Sequence, residues 1–191
     1  MIYKTHKEIV APLGSTGLNN KQLFEKYKNE YNIFFESGTH KGDSVKIALD
    51  LNFKKIFSVE INQDYYLECF NKFVDEIRDG KVYLFFGDSN VWMELMLKLV
   101  NEPCLFWLDG HPDGVSGNPI WSELEEIKKH YIKSNTIIID DVPIYFKEKD
   151  LEDKLLEINP NYSFSYENAL NVANNEVYER YQLIAHLKKE N

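Results

Sequence analysis

Acidic residues follow several apolar runs in this 191-residue sequence, and they are its first candidates for chemistry. Asp109, Asp140 and Asp141 end two runs rich in Ile, Leu and Phe. If those runs are neighbouring parallel strands, about 4.8 Å apart, the three carboxylates emerge side by side and repel one another unless a cation is present. An all-oxygen donor set suits a hard ion such as Mg²⁺. His111 has an ordinary pKa near working pH and is a candidate general base.

The turn after the first apolar run is a second candidate site, with the sequence ESGTHKGDS over residues 36–44. Gly38 permits a sharp turn, and Gly42 permits the close approach of a helix and a ligand. The second glycine of the dinucleotide pattern G-x-G-x-x-G is missing, which disfavours a nicotinamide cofactor. The ordinary alternative is the helix-start turn of any α/β protein.

Two further acids have a spacing that suits nucleoside binding. Glu60 ends the second apolar run about twenty residues after the turn, where an acid can accept hydrogen bonds from a ribose diol. Asp88 lies within Gly87-Asp88-Ser89 after the third run, where it could meet an adenine amino group. The alternatives are a solvated strand-end acid for Glu60 and a helix N-cap for Asp88.

Strand-like and helix-like segments alternate along the chain and would position these residues. The predicted strands are residues 32–37, 54–61, 81–88, 104–110 and 135–141, and the predicted helices between them are 43–51, 63–77, 90–100 and 120–132. Continuous apolar strands alternating with amphipathic helices indicate right-handed βαβ units in a doubly wound sheet. A helix over 19–27 precedes this region; a helix over 149–158 and a hairpin of strands 162–168 and 176–187 follow it.

These motifs together resemble those of class I S-adenosylmethionine-dependent methyltransferases. The resemblance covers residues 31–145 and rests on E-x-G-x-x-x-G, the acid ending strand two and G-D-S after strand three. It implies an α/β, Rossmann-like sheet of about seven strands, mostly parallel with an antiparallel C-terminal strand, and helices on both faces. The implied contacts to S-adenosyl-L-methionine are Glu36, Ser37, Gly38, Thr39, Gly42, Ser44, Glu60, Asp88, Ser89 and Asp109.

The strand-four and strand-five aspartates resemble those of the metal-dependent, macrocin-type O-methyltransferases that modify sugars. That resemblance implies that Asp109, Asp140 and Asp141 hold Mg²⁺. The sugar enzymes usually have D-G-D where this chain has Asp-Gly-His, and catechol-type relatives have a lysine where this chain has Pro112. The catalytic base is therefore His111, or an aspartate, Asp109 or Asp140, that also binds the metal.

We predict a single domain over residues 1–191, with a helical cover (1–30), a cofactor- and metal-binding core (31–145) and a closing helix and hairpin (146–191). The predicted function is O-methylation of a small hydroxylated acceptor, such as a sugar, sugar nucleotide or other polyol, with metal assistance. The alternatives are a metal-independent small-molecule methyltransferase and a non-catalytic S-adenosylmethionine-binding partner subunit.

Composition restricts the partners and the compartment. The net charge of −9 is unsuited to binding nucleic acid or an anionic membrane surface. Two cysteines without metal-like spacing are typical of a reduced compartment. We predict a cytoplasmic protein that forms a homodimer.

Overall fold

The structure is a computed structural model that describes residues 17–110, 118–171 and 173–187. The prediction for His111 and most of the predicted helical cover lie outside the described residues. The strands are β1 (Ile33–Ser37), β2 (Lys55–Glu60), β3 (Val82–Phe86), β4 (Cys104–Leu108), β5 (Thr136–Ile139), β6 (Tyr162–Asn171) and β7 (Glu176–Leu187). Each strand overlaps a segment that the sequence pattern predicted as a strand.

The seven strands of the described part of the chain form one mixed sheet in the order β3-β2-β1-β4-β5-β7-β6. Strands β1 to β5 are parallel to one another, whereas β7 is antiparallel to both β5 and β6. The predicted doubly wound sheet with an antiparallel C-terminal strand is therefore confirmed. The chain adds β2 and β3 on one side of β1 and then returns to add β4 and β5 on the other side. The point at which the strand order reverses therefore lies between β1 and β4.

Helices cover both faces of this sheet. They are α1 (Asn20–Lys28), α2 (Asp43–Asp50), α3 (Gln63–Lys72), α4 (Val74–Arg78), α5 (Ser89–Leu97), α6 (Ile120–Lys129), α7 (Val142–Tyr145) and α8 (Glu148–Ile158). The single helix predicted over residues 63–77 is interrupted at Phe73, which has φ −115° and a buried ring. The short α7 was not predicted; Pro143 lies in its first turn, where its missing N–H is harmless.

The sheet separates two apolar cores, and successive side chains of β1 point alternately into one and the other. Phe35 contacts the rings of Phe57 and Phe106 on one face of the sheet. Phe34 points to the other face, where Phe24 of α1 packs against it at a ring-centroid distance of 4.9 Å. Strands buried on both faces read as continuous apolar runs, which explains why the sequence pattern located them. The N-terminal helix α1 thus covers the sheet.

The fold brings the carboxyl ends of β1 to β5 to the same edge of the sheet. In open α/β sheets, ligands bind outside this edge where the strand order reverses. The residues that follow β1, β2, β3 and β4 are therefore placed to form one site. No helix in the described residues is long and apolar enough to cross a membrane.

Candidate active site

A cavity of about 460 Å³ lies at the carboxyl edge of the sheet, between the loops that follow β1 to β4. This volume is in the range of small-molecule sites. The described residues that line it are Gly38, His40, Val59, Glu60, Ile61, Asn62, Tyr65, Gly87, Asp88, Ser89, Asp109, Gly110 and Pro119. A second cavity of about 440 Å³ lies between the last turns of α5 and α6, away from the carboxyl ends of the strands. The position of a cavity, and not its size, therefore identifies the candidate site.

Glu60, the last residue of β2, is only 6% exposed, and it joins two loops of the cavity. Its Oε2 accepts a hydrogen bond from the backbone N–H of His40 at 2.6 Å, and its Oε1 accepts one from the backbone N–H of Asn62 at 2.7 Å. Each carboxylate oxygen has capacity for a further hydrogen bond. Glu60 can therefore accept ribose hydroxyls while it holds the turn after β1 in place.

The turn after β1 depends on an unusual backbone at Gly38. Its φ is +84°, and a Cβ at this position would lie 2.7 Å from the carbonyl oxygen of Asp109. The N–H groups of Gly38 and Thr39 both donate to the carbonyl oxygen of Val59, at 3.1 and 3.2 Å. The absence of a side chain thus lets the β1 turn, the end of β2 and the loop after β4 meet at one wall of the cavity.

Five of the predicted cofactor residues lie outside the cavity wall. Ser58 donates to Glu36 Oε2 at 2.5 Å and shares a second 2.5 Å hydrogen bond with Thr39. Burial raises the pKa of Glu36 to about 7, although the hydroxyls of Ser44 and Ser58 act to lower it. Besides Glu36, Thr39 and Ser44, the remaining two of the five are Ser37 and Gly42. Ser37 is buried beneath the cavity, and the missing side chain of Gly42 makes room for the ring of Phe73. These five residues support the turn and do not line the cavity.

Asp88 is a helix N-cap that also lies at the cavity. Its Oδ1 accepts a hydrogen bond from the backbone N–H of Asn90 at 2.9 Å, which makes Asp88 the N-cap of α5. Asp88 and the following Ser89 also line the cavity. The capping geometry turns this strand end toward the site and leaves the second carboxylate oxygen for other contacts.

The three strand-end aspartates lie within electrostatic reach of one another. Asp140 N–H donates to the carbonyl oxygen of Leu108 at 3.1 Å, so the ends of β4 and β5 are adjacent. Burial, followed by the charges of Asp140, Asp141 and Glu36, holds the pKa of Asp109 well above its usual range. Within the described residues, however, no group of three His, Cys, Asp or Glu side chains is arranged to hold a metal ion. The donor types fit Mg²⁺, but the three carboxylates do not form a ready ligand set.

Three residues at or beneath the cavity are not among the predicted site residues. His40 and Tyr65 contact each other edge-to-face at 4.5 Å between ring centroids on one side of the cavity. Glu123 of α6 is fully buried, and its Oε2 accepts a hydrogen bond from Ser37 at 3.0 Å. One signal could have found Glu123: it lies three residues after Ile120 on the apolar stripe of α6, where a carboxylate is unexpected.

The charge of the cavity restricts its ligand. Glu60, Asp88 and Asp109 bring carboxylates to it, and no lysine or arginine is among the described residues that line it. Phosphate groups are usually bound by cationic side chains or helix N-termini. A cavity with three carboxylates is suited to a ligand that carries positive charge and hydrogen-bond donors, and it is poorly suited to a dinucleotide.

Comparison with solved structures defines the class of fold. The O-methyltransferase TomG from Streptomyces achromogenes, solved with S-adenosylmethionine, has a TM-score of 0.64 at 9% identity over 95% of this chain and 83% of that chain. An O-methyltransferase from Bacillus cereus, solved with S-adenosylhomocysteine, has a TM-score of 0.58 at 13% identity over 88% and 79% of the two chains. The chain described here therefore has the Rossmann-like fold of S-adenosylmethionine-dependent methyltransferases.

Within that fold class, the comparisons do not select an acceptor. A Clostridium thermocellum protein assigned as an rRNA methylase has a TM-score of 0.53 at 13% identity, over 91% of this chain and 100% of that chain. No protein-family model matches the sequence, and no curated protein matches it significantly. The substrate must therefore be argued from the site itself.

Proposed function

We propose that this protein is an S-adenosylmethionine-dependent O-methyltransferase that acts on a small hydroxylated acceptor. The observation that carries the proposal is the acidic cavity at the switch point of a methyltransferase fold. S-adenosylmethionine combines a sulfonium, an ammonium group and a ribose diol with no phosphate, which matches the charge and the hydrogen-bond acceptors of the cavity. When bound, the cofactor would supply an electrophilic methyl group.

The residues of the chain would divide the work of binding. Glu60 accepts the ribose hydroxyls, and the turn at Gly38 gives the amino-acid part of the ligand access to backbone groups. His40 and Tyr65, whose rings contact each other, border the same side of the cavity. Holding the acceptor oxygen in line with the methyl group would supply much of the rate enhancement.

The acceptor hydroxyl must lose its proton as its oxygen is methylated. As the methyl group would move from the sulfonium of the bound cofactor to the acceptor oxygen, the hydroxyl proton would pass to a base of the chain. His111 remains the sequence-based candidate for this base. Among the residues that the structure describes, Asp109 is the candidate for this base. It lines the cavity, and its raised pKa makes it a better proton acceptor than an ordinary carboxylate.

The finer part of the proposal is a divalent cation held by Asp109, Asp140 and Asp141. Its support is the oxygen donor set at the ends of two adjacent strands and the mutual repulsion that a cation would relieve. The side chains would have to reorient to form the ligand set. A bound cation would lower the pKa of an acceptor hydroxyl, and vicinal hydroxyls of a sugar, sugar nucleotide or other polyol are suited to chelating it.

Chelation tests the metal directly. We expect EDTA to lower methyl transfer by at least about tenfold, and Mg²⁺ to restore activity and raise the melting temperature by mass action. Asp140→Asn, which removes one charge at nearly constant shape, should weaken Mg²⁺ more than it weakens S-adenosylhomocysteine, whereas exposed Asp153→Asn should change neither. An active preparation that EDTA leaves unchanged would favour the metal-independent alternative.

Replacing Glu60 with alanine tests the cofactor site. We expect S-adenosylhomocysteine to bind more weakly by about 1–3 kcal/mol, the cost of losing charge-assisted hydrogen bonds. The fold should also lose stability, because the backbone N–H groups of His40 and Asn62 lose their acceptor. Calorimetric titration measures the affinity, and Glu68→Ala on the exposed surface of α3 is the control.

Glu60→Ala removes both a contact to the ribose and the acceptor that holds the turn after β1. Measuring two ligands, with and without the ribose 2′-hydroxyl, on both proteins separates these two effects. If Glu60 binds the ribose, the 2′-deoxy ligand should bind more weakly than the parent ligand to the unmodified protein, and this difference should shrink in Glu60→Ala. An equal difference in both proteins would show that Glu60 acts only on the turn.

The predicted homodimer and the cytoplasmic location stay predictions.

A further inference from the structure

The two edges of the sheet differ in how they are protected from other strands. At the β6 edge, Leu18 forms a bridge with Ala169, and a β-bulge interrupts the strand between Glu167 and Ala169. At the opposite edge, β3 has β2 as its only neighbouring strand in the described part of the chain. The sequence of β3, VYLFF, has no charge and no proline, and its register with β2 is continuous. An uninterrupted apolar edge strand is open to pairing with another strand.

The backbone of β3 is oriented for such pairing. The carbonyl oxygen of Lys81 accepts a hydrogen bond from Ile56 of β2 at 2.9 Å, and the N–H of Gly87 donates to the last residue of β2 at 2.9 Å. The hydrogen-bonding groups of successive residues point alternately to the two sides of a strand. Every second residue between Lys81 and Gly87 therefore faces away from β2. These residues are Val82, Leu84 and Phe86.

Apolar side chains extend this edge onto the helices that cover one face of the sheet. Tyr66 of α3 contacts the rings of both Phe70 and Phe86, so this flank of α3 faces the β3 edge. Phe86 is 44% exposed although it belongs to a strand, and Phe70 is exposed as well. Leu67 lies three residues before Phe70 on α3, and Val74 begins α4; both side chains are exposed.

The opposite face of the sheet has a similar apolar flank on α5. Trp92 of α5 packs against Phe85 of β3, with 5.1 Å between the ring centroids. Leu95 and Leu99 follow Trp92 by three and seven residues, which places them along the same flank of the helix. Both leucines are exposed, as is Val91, four residues before Leu95. The β3 edge is therefore bordered by uncharged, exposed side chains on both faces of the sheet.

The exposed apolar area at this edge is sufficient for a dimer interface. Among the described residues, ten large apolar side chains are exposed, and seven of them belong to α3, α4, β3 and α5. At roughly 80–110 Å² each, they present about 600–700 Å², which is more than the apolar patch of a typical monomer and close to one side of a standard interface. We define β3 and these seven residues as the β3 surface. The seven are Leu67, Phe70, Val74, Phe86, Val91, Leu95 and Leu99.

We propose that the β3 surface binds a second copy of this chain, with the two β3 strands paired antiparallel about a two-fold axis at Leu84. Leu84 would lie opposite its own copy, and Val82 would lie opposite the partner's Phe86. The backbone groups of these residues all face the free edge, so each pair would exchange both of its hydrogen bonds. The rotation keeps the two faces of the sheet aligned, and α3 would therefore meet α3 and α5 would meet α5.

Charge favours a second copy over a partner of another kind. A two-fold interface joins a surface to itself, so any charge on it meets the same charge nearby. The strand and the seven side chains of the β3 surface carry no charge, although the chain as a whole has a net charge of −9. This inference goes beyond the proposed function and does not depend on it, and it gives the predicted homodimer a specific interface.

Analytical ultracentrifugation of the full chain tests the stoichiometry and the surface together. We expect a dimer with a dissociation constant of about 1 μM or tighter. Phe86→Lys should weaken the dimer at least about 30-fold, because a lysine would be buried in an apolar interface without a counter-charge. Leu95→Lys, on exposed α5, should weaken it as well and replaces Phe86→Lys if that variant folds poorly. Tyr131→Lys, at an exposed aromatic residue just after α6, is the control and should leave the dimer unchanged.

Cross-linking tests the proposed register. The Cα atoms of a hydrogen-bonded antiparallel pair lie about 5.5 Å apart, within the range that a disulfide spans. Leu84→Cys should therefore form a covalent dimer with oxidised glutathione, and Tyr131→Cys should not do so at the same rate. The native Cys69 and Cys104 are buried and should not contribute.

Three results would overturn the inference. The first is a chain that stays monomeric at about 100 μM, well above the expected dissociation constant. The second is a dimer that neither lysine variant on the β3 surface weakens, which would place the interface elsewhere. The third is a dimeric Leu84→Cys preparation that does not cross-link. None of these results would bear on the binding of S-adenosyl-L-homocysteine, so the proposed function is tested separately.

Discussion

Asp109→Asn should lower the rate of methyl transfer by about 10²–10⁴-fold, the range expected for a group that acts on the proton of the acceptor. The same substitution should raise the stability of the ligand-free protein. Burial and the charges of Asp140, Asp141 and Glu36 raise the pKa of Asp109, so the folded protein bears a cost for ionising it. Asparagine keeps the shape and removes that charge, which gives the opposite signs for activity and stability that are common at functional sites.

The raised pKa of Asp109 also predicts how the difference in stability between Asp109→Asn and the unmodified protein changes with pH. A carboxyl group whose pKa is raised by folding binds its proton more tightly in the folded state, so its cost is absent below its ordinary pKa of 3.8 and grows as the pH rises above it. The melting temperature of Asp109→Asn should therefore exceed that of the unmodified protein at pH 8, and the difference should vanish near pH 4. Thermal unfolding with EDTA present measures this. Asp153→Asn on exposed α8 is the control, and loss of stability at pH 8 or unchanged turnover in Asp109→Asn would contradict the role assigned to Asp109.

Gly38→Ala should destabilise the protein by about 2–4 kcal/mol and weaken S-adenosylhomocysteine by at least about 100-fold. The φ of +84° is strained for any side chain, and the new Cβ would lie 2.7 Å from the backbone oxygen of Asp109. A backbone atom cannot move aside as a flexible side chain can. The loop after β4 would have to shift, and both Asp109 and the β1 turn would leave their positions in the cavity.

Gly80→Ala is a matched control for Gly38→Ala. Gly80 also has a left-handed backbone, with φ +70°, but the nearest atom to a Cβ there is the Tyr83 hydroxyl at 3.8 Å. It should therefore cost only the backbone strain, about 1–2 kcal/mol, and leave ligand affinity unchanged. Equal effects of the two substitutions on binding would contradict the close approach proposed at Gly38.

The centre of the sheet could be predicted from the sequence because β1, β2, β4 and β5 have no solvated face. Continuous apolar runs, separated by helical periodicity of suitable length, restrict the topology to a doubly wound sheet. The break at Phe73 was not predicted, because it depends on a tertiary contact: the ring fills the space beside Gly42. Residue spacing along one helix does not contain that information.

The site was predictable only in part, for a similar reason. Gly38, Glu60, Asp88, Ser89 and Asp109 line the cavity, and each lies at the end of a strand or within three residues after it, where topology largely fixes the position. Whether a residue near a strand end faces the cavity or the core depends on its hydrogen bonds, so the sequence did not separate Glu36 of β1 and Thr39 of the following turn from the lining residues. Glu123 comes from a helix far along the chain, and only packing of α6 against the sheet brings it to Ser37.

The most direct test of the account is calorimetric titration of the unmodified protein with S-adenosyl-L-homocysteine. We predict saturable binding of one ligand per chain, with a dissociation constant of about 1–100 μM, ordinary for enzyme ligands. NAD and ATP should not bind, because the described lining of the cavity has carboxylates and no lysine or arginine. A folded preparation that gives no binding signal with millimolar S-adenosyl-L-homocysteine, or that binds NAD in its place, would contradict the assignment of this cavity to a methyltransferase cofactor.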